Sequence, residues 1–160
     1  MSFTLPENCK IVQLDAANTA ANALAADIIC CKNALKVWFV VSHYSGGGDT
    51  DLTLSLVEAT DVSGSTTTAV TATFPIWSDT NAGTASDTLV RQTDAASYVI
   101  NTGAGTDYLV VIEWDPAKHS DGYDCIQLAD SGGNASNVIN ALAIIQERYQ
   151  ADQPPTAITD

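Results

Sequence analysis

Two dense clusters of hydrophobic residues each predict a β-strand. Residues Ala34–Tyr44 (ALKVWFVVSHY) contain an unbroken apolar run from Val37 to Val41 that is made of β-branched and aromatic side chains. Such residues favour strands over helices. Residues Tyr108–Trp114 (YLVVIEW) form a second, nearly continuous apolar run, which is typical of a strand in the middle of a sheet.

A third segment alternates between apolar and polar positions. Leucine stands at 52, 54 and 56, with Thr53 and Ser55 between. This period of two indicates a strand with one buried face. Since only a Gly-rich turn at residues 45–49 separates it from Ala34–Tyr44, we expect the two strands to form a β-hairpin.

The same patterns predict the remaining strands, loops and turns of the chain. Further extended segments are predicted at Phe3–Leu14, Thr67–Trp77, Leu89–Ile100 and Tyr123–Ala129. Loops are predicted at Asp15–Asp27, with at most a helical turn, and at Ser78–Ser86, and Gly-rich turns at 103–105 and 131–134. In Val138–Tyr149 apolar residues recur both at helical spacing and at every second position, so periodicity leaves helix and strand open.

Seven or eight short strands without helices between them predict an all-β fold, either a β-sandwich or a jelly roll. Parallel strands would need crossover helices, for which the chain has no room. The 160 residues fit a single domain spanning 1–160. Pro6 near the start and Pro154-Pro155 near the end predict that residues 1–8 and 151–160 are extended arms.

Charge restricts the possible partners. The formal net charge is −13, from 19 acidic and 6 basic residues, and the basic residues are scattered. An acidic surface repels nucleic-acid phosphates and anionic lipid heads, so neither nucleic-acid binding nor membrane binding is expected. The charge either keeps the protein soluble or matches a basic partner surface.

The four cysteines, at positions 9, 30, 31 and 125, show no C-x-x-C spacing, and both histidines lie far from them. Zinc ligands come in closer pairs, so no zinc site is expected. No signal peptide or long apolar stretch opens the chain, and we expect free, mostly buried thiols in a reducing cytosol.

No group of residues has the pattern of an active site. His43 is predicted to be a polar residue at a strand end, and His119 an exposed loop residue, and no nucleophile motif accompanies either. Glu58 and Glu113 lie on strands, but nothing places them opposite each other. The Gly46–Gly48 run lacks the spacing of a phosphate-binding loop. We expect no catalytic activity, no cofactor and no metal site.

The terminal segments are candidates for contacts with other proteins. Proline lowers the entropic cost of ordering an arm on a partner surface, and Trp77, at the end of a predicted strand, could be either a core residue or an interface anchor. The candidate interface residues are Phe3, Leu5, Pro6, Trp77, Pro154, Pro155 and Ile158. The opposing interpretation is that these are ordinary disordered ends.

Four stretches between residues 31 and 150 point to one kind of protein. They are CKNALKVW at 31–38, ASDTLVRQTD at 85–94, EWDP at 113–116 with YDCI at 123–126, and ERYQ at 147–150. In these stretches the chain resembles the decoration, or cement, proteins of tailed-bacteriophage heads. The resemblance implies a jelly-roll-like fold in which 138–149 is the final strand. It also implies a virion protein that binds the major capsid protein on the outer capsid surface, stabilises the shell, and associates with itself as a dimer or trimer.

Two other functions stay open. A carbohydrate-binding β-sandwich presents a row of exposed aromatic residues, for which Trp38, Trp77 and Trp114 are the candidates, although at least one of those in the apolar strands is expected in the core. A phage tail or baseplate component would differ from a head protein only in its partner.

Overall fold

The computed structural model describes residues 4–16, 19–21, 24–47, 50–103, 107–149 and 156–159. A single α-helical turn, α1, spans Leu5–Asn8, and a 3-10 turn spans Pro116–Lys118. The strands are β1 Cys9–Gln13, β2 Thr19–Ala20, β3 Ile29–Cys30, β4 Ala34–Tyr44, β5 Leu52–Ala59, β6 Thr67–Ala69, β7 Ile76–Thr80, β8 Val90–Arg91, β9 Ser97–Ile100, β10 Asp107–Trp114, β11 Cys125–Gly132 and β12 Val138–Glu147.

The strands form two antiparallel sheets that pack as a sandwich. The first sheet has the order β1-β12-β4-β10-β7-β8, with β2 also beside β12. The second sheet has the order β3-β11-β5-β6, with β9 also beside β5. The predicted all-β, single-domain sandwich is therefore confirmed. Among the described residues, no helix is long and apolar enough to cross a membrane.

The core lies between the two sheets and follows the period of two. Val37, Phe39 and Val41 of β4 are fully buried, as are alternate residues of β10 and β12. From the second sheet, the leucines at 52, 54 and 56 are also fully buried. Because side chains alternate across a strand, every inward residue of β4 leaves an outward neighbour that this core cannot cover.

The predicted hairpin between β4 and β5 is wrong. Strand β4 pairs with β10 on one edge and with β12 on the other, so β5 has no free edge of β4 to join. It pairs instead with β11, β6 and β9 in the second sheet. The chain after β4 crosses from one sheet to the other, a step that local sequence patterns do not reveal.

For two other segments the structure either decides between the alternatives that the sequence left open or differs from the prediction. Val138–Glu147 is a strand, because it pairs along its length with β4. Strand β7 continues to Thr80 although Ser78–Ser86 was predicted to be a loop. There the polar residues Ser78 and Asp79 pair with Val110 and Leu109 of β10, and this cross-strand pairing outweighs their weak strand propensity.

The N-terminal arm is helical, not extended, between residues 5 and 8. The backbone N–H groups of Glu7 and Asn8 both donate to the Thr4 carbonyl at 3.1 Å. Pro6 lies in the first turn, where its fixed backbone angle suits a helix and its missing N–H needs no partner. Pro6, from which an extended arm was predicted, instead lies in a turn of helix.

The cysteines match the sequence-based expectation. Among the described residues none of the four forms a disulfide, and Cys9, Cys31 and Cys125 are buried while Cys30 is half-buried. Burial raises the pKa of the Cys31 thiol well above its ordinary value, which keeps the thiol protonated and unreactive at neutral pH.

The alternation of β5 gives a direct test of the core. Leu54→Ala is expected to lower the free energy of unfolding by about 2–5 kcal/mol, because it leaves a cavity between the sheets. Thr53→Ala, which changes the neighbouring outward side chain, is expected to cost less than about 1 kcal/mol. Urea unfolding of both variants measures the difference, and equal losses would contradict the assignment of the leucines to the core.

Candidate interaction surface

The outward side of the first sheet is apolar. Outward side chains of β4 include Trp38 and Val40, and those of β10 include Leu109 and Val111, all half-buried. We call this surface the outer face. Its apolar members are Ile11 of β1, Leu142 and Ile144 of β12, Trp38 and Val40 of β4, Leu109 and Val111 of β10, and Trp77 of β7.

The strand register makes this surface continuous. Val40 lies opposite Leu142 on one side and Val111 on the other, and Val111 lies opposite Trp77. In the next row Trp38 lies opposite Ile144, which in turn lies opposite Ile11. Cross-strand pairs of an antiparallel sheet share one face and touch. The outer face is therefore one patch, and contiguous exposed apolar patches mark interaction sites.

A groove runs between β1, β12 and β4 on the outer face. Its volume is about 320 Å³, and its apolar lining includes Ile11, Val40 and Leu142. Ile11 is 49% exposed although it lies in a strand. The groove on the outer face can therefore accept protruding side chains from another protein.

The charges at one end of the outer face are paired within the chain. Lys36 Nζ lies 3.0 Å from Glu113 Oε1 and 3.2 Å from Asp115 Oδ2. The hydrogen bond to Glu113 raises the pKa of Lys36 above its ordinary value. Trp38 Nε1 donates to the other oxygen, Glu113 Oε2, at 2.9 Å. This network gives the charged groups and the indole N–H hydrogen-bond partners and fixes the Trp38 ring, and within it one of the two carboxylate charges lacks a balancing cation.

A second cation lies at the β7 edge of the outer face. The Arg91 guanidinium stacks over the Trp77 ring at 4.8 Å from its centroid, a cation–π arrangement. Arg91 also forms an ion pair with Asp94. Trp77, predicted to be either core or interface anchor, is half-buried on the outer face.

The second sheet has a different outer surface. The outward residues of β5 are Thr53, Ser55 and Val57, and β11 adds Gln127 from the neighbouring strand. Hydroxyl and amide groups are well hydrated, so this side suits contact with water. The outward valines Val57 and Val99 also lie on this side, so among the described residues the second sheet has a mixed outward surface and the first sheet has the more apolar one.

The structure places the other predicted interface residues apart from this patch or at its border. Leu5 and Ile158 are 39% and 41% exposed, respectively. Pro6 borders a depression of about 290 Å³ that Ile11 also lines, so the N-terminal turn adjoins the outer face. Phe3, Pro154 and Pro155 lie outside the described residues.

Part of the predicted C-terminal arm belongs to the body of the protein. Ala157 is buried and belongs to the hydrophobic core, and its carbonyl accepts a hydrogen bond from Cys30 N–H. The neighbouring Ile158 stays exposed. Residues 156–159 therefore lie along β3 at the edge of the second sheet.

His119 is not the exposed loop residue that the sequence suggested. Its Nδ1 lies 3.1 Å from Glu58 Oε1, and the same oxygen accepts a hydrogen bond from Ser120 N–H at 2.9 Å. Trp114 Nε1 donates to His119 Nε2 at 3.3 Å. Because Nε2 accepts, Nδ1 carries the proton and donates to Glu58.

This cluster links the two sheets. Glu58 belongs to the second sheet and Trp114 to the first, and the His119 side chain is 7% exposed. Burial lowers the pKa of His119, an effect that the hydrogen bond to Glu58 partly offsets. A catalytic histidine needs one nitrogen free for a substrate or nucleophile. Both nitrogens of His119 are engaged in hydrogen bonds within the chain, so this cluster stabilises the packing of the two sheets.

His43 is also buried, against the expectation of a polar strand end. It is 1% exposed and packs against Tyr108 with ring centroids 5.7 Å apart. Among the described residues, neither ring nitrogen has a hydrogen-bond partner. Burial lowers its pKa. It points inward because it follows Phe39 and Val41 at every second position of a strand paired on both edges.

The outer face was missed from the sequence although a signal for it was present. A strand with one buried face alternates, as Leu52–Leu56 does, whereas Val37–Val41 and Tyr108–Ile112 do not. Continuous apolar runs are typical of strands covered on both faces. The second sheet covers one face of these strands, and on the other face Trp38, Val40, Leu109 and Val111 are half-buried.

Comparisons with known proteins give little further information. The chain matches no protein-family model and no curated protein. A solved structure of the SPBc2 prophage-derived protein YomS is similar at 10% identity and a TM-score of 0.47, covering 86% of this chain and 91% of that one. The Tobacco streak virus coat protein dimer reaches 11% identity and a TM-score of 0.19, covering 96% and 94%, respectively. At these TM-scores neither likeness carries an argument about this chain.

The two buried histidines predict acid sensitivity. Each has a lowered pKa in the folded protein, so the unfolded chain binds protons more readily once the pH falls below the ordinary histidine value of about 6.5. The free energy of unfolding should therefore decrease as the pH falls from neutral through this value. Urea unfolding over a pH series, followed by tryptophan fluorescence, measures the slope.

His43→Leu isolates one of these contributions. The variant is expected to be at least as stable as the wild type at neutral pH, because it removes buried nitrogens that lack a partner. Its stability should also fall less steeply below pH about 6.5. An unchanged pH slope would show that His43 does not contribute.

Proposed function

We propose that this protein is a non-enzymatic structural component of a virus particle, a decoration protein on the outer surface of a bacteriophage head. The observation that carries an assembly role is the outer face, an apolar surface on a sandwich whose net charge is −13. Such a surface on an otherwise hydrophilic protein is covered by protein when it functions. The residue patterns at 31–38, 85–94, 113–126 and 147–150, which resemble cement proteins, support the phage head as the assembly.

In this role the major capsid protein is the partner, and the protein stabilises the shell as a dimer or trimer. The capsid-facing contacts are assigned to the terminal residues, of which Leu5, Pro6 and Ile158 are described and exposed. Phe3, Pro154 and Pro155 complete that group. The protein is made in the host cytoplasm and binds neither nucleic acid nor membrane, in keeping with its acidic charge.

A carbohydrate-binding module is the second candidate. Trp38 and Trp77 share the outer face, as a sugar-stacking surface requires. However, Trp114 is fully buried, and the Arg91 guanidinium already covers the Trp77 ring. Trp38 is held by Glu113. The aromatic row is thus reduced and occupied, so the structural role is preferred. A tail or baseplate location differs only in the partner.

Co-sedimentation with phage heads tests the proposal. Purified protein is expected to pellet with heads that lack it and to raise the temperature at which they release their genome. Retention on a glycan array without binding to heads would favour the carbohydrate module, and binding to tails alone would place the protein there.

A double variant tests the terminal contacts. Leu5→Ser with Ile158→Ser changes two exposed side chains, so its thermal stability is expected to stay near the wild-type value. Binding to heads should weaken at least about tenfold, because apolar anchors dominate interface energy. The control is Val99→Ser, an exposed residue of β9, which is expected to bind normally. Equal binding by all three proteins would contradict the terminal assignment.

A further inference from the structure

We propose that the outer face binds the outer face of a second copy of this chain, so that two sandwiches pack sheet against sheet about a twofold axis. A twofold contact uses the same patch on both copies, and face-to-face sheet packing interleaves outward side chains as a sandwich core does. The proposal rests on the proposed assembly role and sharpens it by naming the surface that joins one copy to the next.

The distribution of charge favours a second copy of the chain over a basic protein as the partner of the outer face. Two copies with a net charge of −13 each repel, so they can associate only through faces with little net charge. The central row of the outer face is Leu142, Val40, Val111 and Trp77, without a charged member. A basic partner would gain little along this row, because none of its members carries a charge. At the border, Lys36 offsets one of the two carboxylates that it contacts, Glu113 and Asp115.

The ion pairs at the border do not oppose the contact. Lys36 and Arg91 both have their acidic partners in the same chain. A second copy would cover Arg91 together with Asp94, and Lys36 together with Glu113 and Asp115, which costs less than covering a lone charge, although the Lys36 cluster keeps one negative charge. The Trp38 Nε1 donor is also satisfied within the chain, by Glu113. The outer face can therefore lose water without leaving these polar groups unpaired.

The size of the outer face meets the lower limit for a specific dimer. Strands β1, β12, β4, β10 and β7 lie side by side, which at about 4.8 Å per strand gives a width of about 19 Å. From Lys36 to Tyr44, β4 is about 27 Å long. The footprint is thus roughly 500 Å² per copy and roughly 1,000 Å² for both, the area expected of the smallest specific interfaces.

In the proposed dimer, the outward side of the second sheet stays exposed to solvent. This side combines the polar Thr53, Ser55 and Gln127 with the separate valines Val57 and Val99. Packing through the outer face leaves two such surfaces exposed, one on each end of the dimer. The self-association surface is then separate from Ile158, which lies beside the second sheet.

Sedimentation-velocity ultracentrifugation over a series of protein concentrations tests the inference. The wild type is expected to sediment as a dimer of the 16.8 kDa chain. Val40→Asp places one carboxylate per copy at the centre of the contact and should weaken the dimer at least about a hundredfold. The matched control is Val57→Asp, which changes a half-buried outward valine of the second sheet and should leave the dimer intact.

Leu142→Gln provides a second probe of the same surface if Val40→Asp fails to fold. A wild type that stays monomeric at every concentration would overturn the inference, as would a dimer that survives both substitutions or that Val57→Asp also dissociates. A dimer that does not bind phage heads would overturn the proposed function and leave the surface assignment standing. A monomer whose binding to heads is lost on Val40→Asp would assign the outer face to the shell protein instead.

Discussion

The structure depends on the position of β4 and β10 in the middle of one sheet, with both backbone edges of each strand hydrogen-bonded to neighbours. Pairing on both edges fixes the register, and the register fixes which side chains point inward. The inward set packs against the leucines of β5 and forms the core. The outward set is nearly as apolar, so the same constraint that builds the core also creates the outer face.

One polar cluster and one single polar residue are buried in this core, and they have opposite effects on the stability of the fold. Glu58, His119 and Trp114 hydrogen-bond across the gap between the sheets, so that a buried carboxylate and a buried imidazole satisfy each other. His43 has no such partner among the described residues, and its burial costs stability that the surrounding apolar contacts must offset. The cluster of Glu58, His119 and Trp114 thus stabilises the sandwich, whereas the burial of His43 destabilises it.

The surfaces of the molecule support the proposed binding role. The histidine closest to a carboxylate has both nitrogens engaged within the chain, whereas the outer face has apolar area and ion-paired charges at its border. A surface of this kind gains free energy when another protein covers it. The hydroxyl-rich outward side of β5 gains nothing comparable, which gives the molecule two functionally different sides.

The sequence by itself determined the strand character of Ala34–Tyr44, Leu52–Ala59 and Tyr108–Trp114, the single all-β domain and the buried thiols, because these follow from side-chain type and a period of two. It did not determine which strands pair, since pairing joins residues far apart in the chain: β4 was matched with β5 but pairs with β10 and β12. Periodicity left Val138–Glu147 open, and its pairing with β4 decided for the strand that the resemblance implied. Tertiary structure alone decided that His119 meets Glu58. It also decided that Trp38 and Trp77 share one apolar surface, because only strand order brings outward residues of separate segments together.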